Sequence, residues 1–180
     1  LIATGACAIH CRYCFRREFP YSENHAGGDS WRPALNYLSQ DRSLREVILS
    51  GGDPLSLSDR RLGALLAELE RIPHLERLRI HSRQPIVLPE RVDDGLLDLL
   101  ARTRLRPILV IHANHPREID ETVRRVLERL AGIGVTLLNQ SVLLRGVNDT
   151  VPTLVELSEV LFTARVLPYY LHLLDRVQGA

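Results

Sequence analysis

The sequence predicts a parallel α/β domain, and two observations predict it. Strand-like apolar runs begin near residues 45, 77, 107, 135 and 166, and an amphipathic helical stretch fills each interval. Hydrogen-bonding residues collect where those runs end: Ser50-Gly51-Gly52-Asp53, His81-Ser82-Arg83, His112-Ala113-Asn114-His115, Asn139-Gln140-Ser141, and His172 with Asp175. In parallel α/β folds this is the edge where loops converge and sites form. The turns at the opposite edge, such as 104–106 and 132–134, are plain. An open doubly wound sheet and a barrel both satisfy the pattern.

The elements follow in order. Residues 1–5 are short and mostly apolar, the end of a first strand, and 7–17 form the loop after it. Residues 19–30 hold Pro20, Asn24, Gly27 and Gly28 and read as an irregular connection. Ser30 is the expected N-cap of a helix over 31–39, with Pro33 in its first turn. A strand over 45–49 leads to the Ser-Gly-Gly turn. Ser58 is expected to cap a helix over 59–71, with Leu62, Leu65, Leu66 and Leu69 on one face. A strand over 77–81 precedes a helix over 89–102, which turns Leu96, Leu97 and Leu100 inward. A strand over 107–112 precedes a helix over 116–131 opened by Pro116. A strand over 135–144, a helix over 151–164 and a strand over 166–174 complete the series. No linker or low-complexity run divides residues 1–180, so one domain is expected.

The chemistry starts at the amino-terminal end. All three cysteines, Cys7, Cys11 and Cys14, fall in a C-x3-C-x2-C window. Three thiolates on one loop can hold three irons of a [4Fe–4S] cluster, which leaves the fourth iron open to a small molecule. The alternative is zinc, with His10 or His25 as fourth ligand, although structural zinc sites usually draw on two separated pairs. Clustered cysteines without a secretory signal suit a reducing, cytoplasmic setting rather than a disulfide framework. A net charge of +1 makes no case for nucleic acid or a membrane surface, and no apolar run is long enough for a membrane span. The 23 basic residues are all arginine, so these residues offer no lysine for an internal Schiff base with pyridoxal phosphate (PLP). With no methionine and Leu1 in mid-motif, the chain reads as a piece of a longer protein.

Other side chains carry weaker signals. Two glycines at 51–52 would let backbone approach a ligand without a Cβ in the way. Gln140, among apolar residues, calls for a polar contact to backbone or cofactor. Asp175 at a strand end calls for a cation. Arg83 reads as a solvated charge, and His112, His115 and His172 taken singly read as structural.

The window C-x3-C-x-Tyr13-Cys14 resembles the signature of the radical S-adenosylmethionine (SAM) superfamily. The run CRYCFRREFPY resembles the lysine 2,3-aminomutase family within it, in the branch that supplies β-lysine for elongation factor P. SGGDPL, RIHSRQPIVLPERV, HANHPREI, NQSVLLRGVND and YYLHLLD extend the likeness over nearly the whole chain. The resemblance implies a partial (βα)6 TIM-like barrel of parallel strands. It implies a [4Fe–4S] cluster on Cys7, Cys11 and Cys14. It implies SAM contacts from Tyr13, Gly51, Gly52, Asp53, Ser82, His112 and Gln140. Arg16 would grip the substrate carboxylate and Asp175 the side-chain ammonium of lysine. PLP would be the second organic cofactor, anchored on a lysine outside these residues, and a flavodoxin or ferredoxin would deliver the electron. The resemblance assigns no catalytic side chain within the 180 residues, which alone should not turn over. A glutamate or arginine aminomutase, another radical SAM enzyme, and a non-enzymatic iron–sulfur or zinc module are the alternatives.

Overall fold

A computed structural model describes residues 1–14, 16, 19 and 31–175. Six strands form one sheet: β1 (Ile2–Thr4), β2 (Glu46–Gly51), β3 (Arg77–Ser82), β4 (Arg106–Ile111), β5 (Thr136–Val142) and β6 (Leu167–His172). Their order is β1-β2-β3-β4-β5-β6 and every neighbouring pair is parallel. A doubly wound sheet must reverse its strand order at a switch point. This sheet never reverses, so each crossover proceeds in the same direction and the helices share one face. That order decides the question the sequence pattern left open, in favour of a partial barrel.

The sheet curls. Arg79 of β3 donates a 3.0 Å hydrogen bond to the Tyr169 hydroxyl of β6, three strands away. Flat strands would hold those backbones about 14 Å apart. Arg79 also pairs with Glu46 of β2 at 2.7 Å, so a polar layer crosses the concave side.

The hydrophobic core lies on the convex side. Val47, Leu49, Leu78, Ile80, Leu109, Ile111 and Leu137 pack there under the helices. Helix α2 (Asp59–Glu70) contributes Leu62, Leu65, Leu66 and Leu69, and α4 (Asp94–Arg102) contributes Leu96, Leu97 and Leu100, the faces expected from periodicity. Helix α1 (Arg32–Gln40), the single short turn α3 (Gln84–Val87), α5 (Glu121–Gly132) and α6 (Val151–Thr163) complete the layer. The expected cap Ser30 and most of the expected irregular connection over 19–30 lie outside the described residues. Ser58 occupies the N-cap of α2 without a side-chain capping bond.

Two helices begin later than expected, for one reason. Pro89 and Pro116 each open a single 3-10 turn, Pro89–Arg91 and Pro116–Glu118, rather than the main helix. The long helix restarts at an aspartate: Asp93 accepts from Leu96 N and Asp120 accepts from Val123 N, both at 2.8 Å. An aspartate that satisfies a first-turn amide fixes the helix start at its own position. Strand β5 is likewise shorter than expected, because Asn148 accepts from Leu144 N and donates to Val142 O, taking over the backbone groups that would continue it. Strand β6 ends at His172, two residues before the expected end.

A register shift between Asn139 and Gln140 disturbs the β5–β6 ladder: Asn139 faces Pro168 and Gln140 faces Tyr170. Tyr169 is the extra residue of this bulge. Its ring lies 4.2 Å from that of Tyr170, although consecutive strand residues normally point to opposite faces.

Candidate active site

The carboxyl ends of the strands open into a cavity of about 950 Å³. Its lining includes all twelve residues expected from the sequence: Cys7, Cys11, Tyr13, Cys14, Arg16, Gly51, Gly52, Asp53, Ser82, His112, Gln140 and Asp175. Proximity to the cavity does not give them the same job.

The paired glycines seat the cysteine loop. A Cβ on Gly52 would lie 2.3 Å from Ala6 O, and one on Gly51 would lie 2.5 Å from Thr4 O. Gly51 also has φ of +120°, which a side chain resists. Gly52 N donates to Thr4 O and Asp53 N donates to Ala6 O, each at 2.7 Å. The close approach expected here is therefore made by the protein's own backbone leading into Cys7.

Asp53 and Ser82 serve the scaffold in a similar way. Asp53 Oδ1 accepts from Leu55 N and from Ser82 Oγ, and Oδ2 accepts from Arg83 N. Ser82 Oγ accepts in turn from Gln84 N. These bonds tie the end of β2 to the end of β3. Burial nevertheless pushes the Asp53 carboxyl above the ordinary range, against the pull of those donors.

Arg83 is not a solvated charge. Its side chain is 17% exposed and is held on three sides. Nη1 donates to Cys11 Sγ at 3.0 Å and to the Tyr13 hydroxyl at 2.6 Å, and Nη2 meets Glu118 Oε2 at 2.9 Å. Tyr13 also accepts from Asn114 Nδ2 at 2.6 Å, so its hydroxyl is engaged by the protein. Burial raises the Tyr13 phenol to about 12, opposed by the Arg83 charge. Burial works against the Arg83 cation, but Tyr13, Cys11 and Glu118 together hold it above its usual range.

The polar residues of β5 divide by strand parity. Asn139 and Ser141 point away from the cavity into a buried network. Asn139 accepts from Ala113 N and donates to Ala113 O, pairing with it as a backbone strand would, and Ser141 Oγ also donates to Ala113 O. Gln140 faces the cavity, on the wall that also carries His81. His81 itself, unassigned from sequence, lines the same wall, with its ring 5.9 Å from that of His112.

Both rings are held neutral. Burial, then Arg79 and Arg16, lowers His81 to about 4. Burial, then His81, Arg83 and His172, lowers His112 to about 3. Among the described residues the buried Nε2 atom of His112 has no hydrogen-bond partner, an unmet polar group in the cavity wall. His115, by contrast, caps the Pro116 turn, accepting from Arg117 N. Arg16 Nη1 lies 3.4 Å from Gly51 O.

The radical SAM superfamily profile matches residues 1–157. The chain belongs to the radical SAM superfamily. It is 55% identical over 180 residues to an L-lysine 2,3-aminomutase of Escherichia coli (strain K12), covering 100% of this chain and 53% of that protein. It is 54% identical to the Haemophilus influenzae L-lysine 2,3-aminomutase and 48% identical to that of Buchnera aphidicola, each alignment covering 99% of this chain and 53% of the relative. The chain spans about half the length of these curated relatives.

The residues of this radical SAM chain fit the family's iron–sulfur cluster. Cys7, Cys11 and Cys14 are half-buried thiols, free of disulfides, along one cavity. Burial and then Asp53 push the Cys7 thiol up to about 11, so a thiolate there calls for a bound cation. Among the described residues no three His, Cys, Asp or Glu converge on one ion. Zinc needs its ligands on one centre, whereas a cluster gives each thiolate its own iron. His10 is exposed, and His25 lies outside the described residues. SAM fits by volume and by the unmet His112 nitrogen. These 180 residues hold no lysine to anchor PLP, whose anchor the sequence resemblance places outside them. Among the described residues no helix is long and apolar enough to cross a membrane.

Proposed function

We propose that residues 1–180 are one radical SAM domain of an enzyme that moves the amino group of L-lysine from the α to the β carbon. The observation that carries this reading is co-location: the three cysteines, Arg16 and Asp175 border one cavity at the carboxyl ends of the strands. Cys7, Cys11 and Cys14 hold three irons of a [4Fe–4S] cluster. The Gly51–Gly52 backbone and the wall that carries Ser82, His112 and Gln140 would hold SAM. Tyr13 and Asp53 support SAM indirectly, since their polar atoms already bond Arg83, Asn114 and Ser82. When bound, the reduced cluster supplies the electron that splits SAM and starts hydrogen abstraction.

The chain's own contribution is orientation. Arg16 offers a planar fork to a carboxylate and Asp175 offers an anion to an ammonium, a charge order that suits a long cationic amino acid. Asp175 disfavours glutamate as the substrate. Neutral His81 and His112 add hydrogen-bonding capacity to the wall without a second positive charge. PLP enters through the aminomutase resemblance alone, and its anchor belongs to a lysine outside these residues. Delivery of β-lysine to elongation factor P, a flavodoxin or ferredoxin as electron donor, and a cytoplasmic setting complete the proposal.

Anaerobic reconstitution followed by iron and sulfide analysis tests the first half. About four of each per chain and a SAM-sensitive spectrum are expected, lost in Cys7→Ala, Cys11→Ala or Cys14→Ala. Incubating the complete enzyme with L-lysine, SAM, PLP and a reductant tests the second half, with β-lysine as the expected product. Stoichiometric zinc without iron uptake, or a different amino-acid product, overturns the respective half.

A further inference from the structure

We propose that the Arg83–Glu118 pair sets the reduction potential of the cluster, acting through the hydrogen bond from Arg83 Nη1 to Cys11 Sγ. This rests on the cluster reading above.

The contact is built rather than incidental. Glu118 is fixed first: its Oε1 accepts from Asn114 N at 2.7 Å and from His115 N at 3.0 Å, which leaves Oε2 facing Arg83. Oε2 holds Nη2 and so orients the plane of the guanidinium. The opposite corner, Nη1, then reaches Cys11 Sγ and the Tyr13 hydroxyl. Asn114 pins that hydroxyl from the other side, and the Arg83 guanidinium carbon lies 5.6 Å from the centre of the Tyr13 ring. Elements from three parts of the chain thus aim one half-buried cation at one of the three sulfurs.

A cation placed there has a defined electrostatic effect. Reduction adds an electron to the cluster, and hydrogen bonds to its sulfurs and local charge are levers on its potential. Positive charge beside Cys11 favours the reduced form. Glu118 opposes that effect, because its negative charge partly offsets the arginine. The two residues therefore act with opposite sign, although both hold the loop in place. A purely structural pair has no such signature, since loosening the loop from either side exposes the same cluster to the same solvent.

The test is a redox titration of the reconstituted cluster in the complete protein, followed by visible absorbance and by electron paramagnetic resonance of the reduced state. Iron and sulfide content is measured in each sample. Arg83→Gln is expected to lower the equilibrium constant for one-electron reduction about tenfold, a shift of about 59 mV to more negative potential. Arg83→Lys keeps the charge and is expected to stay closer to the wild type. Glu118→Gln keeps an acceptor for the Asn114 and His115 amides and is expected to shift the potential upward. Unchanged potentials, or shifts of the same sign in Arg83→Gln and Glu118→Gln, overturn the proposal. If Arg83→Gln takes up no cluster, the upward shift in Glu118→Gln decides. Wild-type protein that takes up no iron overturns the cluster reading instead.

Discussion

Replacing Gly52 by alanine should unseat the cysteine loop, and the structure sets the size of the effect. Gly52 has an ordinary φ, so backbone strain is not the issue; contact is. The added Cβ would lie 2.3 Å from Ala6 O and 2.7 Å from Gly5 C, both backbone atoms that cannot rotate away. Residues 5 and 6 must withdraw. That withdrawal stretches two 2.7 Å bonds, Gly52 N to Thr4 O and Asp53 N to Ala6 O. Two such bonds contribute about 2 kcal/mol together, and overpacking against a fixed wall adds about 1–3 kcal/mol. A loss of about 3–5 kcal/mol is therefore expected, a large part of the stability of a domain this size. Gly132→Ala is the matched control, because nothing lies within 4 Å of its Cβ position at the end of α5, and it should be neutral or mildly stabilising. Urea unfolding of the apo-protein gives the stability, and iron per chain after reconstitution reports the loop. A Gly52→Ala protein with wild-type stability and full iron uptake would refute the idea that these glycines serve backbone contact.

Asn139→Ala should cost about 2 kcal/mol in urea unfolding, because it strands the buried Ala113 amide, while Ala113 O keeps its bond from Ser141 Oγ; a loss under about 1 kcal/mol would count against that strand-mimicking role. In the complete enzyme, Asp175→Asn should raise KM for lysine about tenfold, the equivalent of one charge-assisted bond of about 1.5 kcal/mol, and Arg16→Lys should also impair lysine use. Normal lysine kinetics in both would remove them from the substrate site. His81 and His112 titrate near 4 and 3 when folded, below the unfolded value of 6.5. Between about pH 6.5 and 4 the unfolded chain binds the extra protons, so stability falls as pH falls across that window. The acid-side slope should flatten in a His81→Asn, His112→Asn double variant, measured by urea unfolding at a series of pH values; an unchanged slope would contradict the assignment.

The alternation of elements was legible because each amphipathic stretch shows its own period. The sense of winding was not, since a helix buries the same leucines whichever way its crossover runs. Strand order alone carries that information. The late starts of α4 and α5 were legible in principle. Pro89-Glu-Arg-Val-Asp93 and Pro116-Arg-Glu-Ile-Asp120 share one pattern: a proline that opens a 3-10 turn, then an apolar residue and an aspartate that caps a new helix. The place of the cysteines, Asp175 and Gln140 on the cavity could be found from residue type and position, and that of Arg16 from the family resemblance. Strand parity would have separated Gln140 from Asn139 and Ser141, and would have placed His81 on the cavity side with Gln140. The backbone contact of Gly51–Gly52 with Thr4 and Ala6 and the work of Arg83 could not be read locally. Arg83 meets Cys11 across 72 positions, and Asn114 meets Tyr13 across 101. No short window contains both sides of either contact.

Those separations also order events on the ribosome. Each strand pairs with the next one in sequence, so the sheet can grow as the chain emerges, one crossover at a time. The cysteine loop precedes Arg83, Asn114 and Glu118, which fix Cys11 and Tyr13 and come off the ribosome only after β3 or β4. Until then the three thiols lack their mature setting. On the proposed cluster reading, metal loading in the final geometry would wait for a late stage of synthesis or for the released protein, and a nascent chain halted before Asn114 would hold its three thiols without those partners.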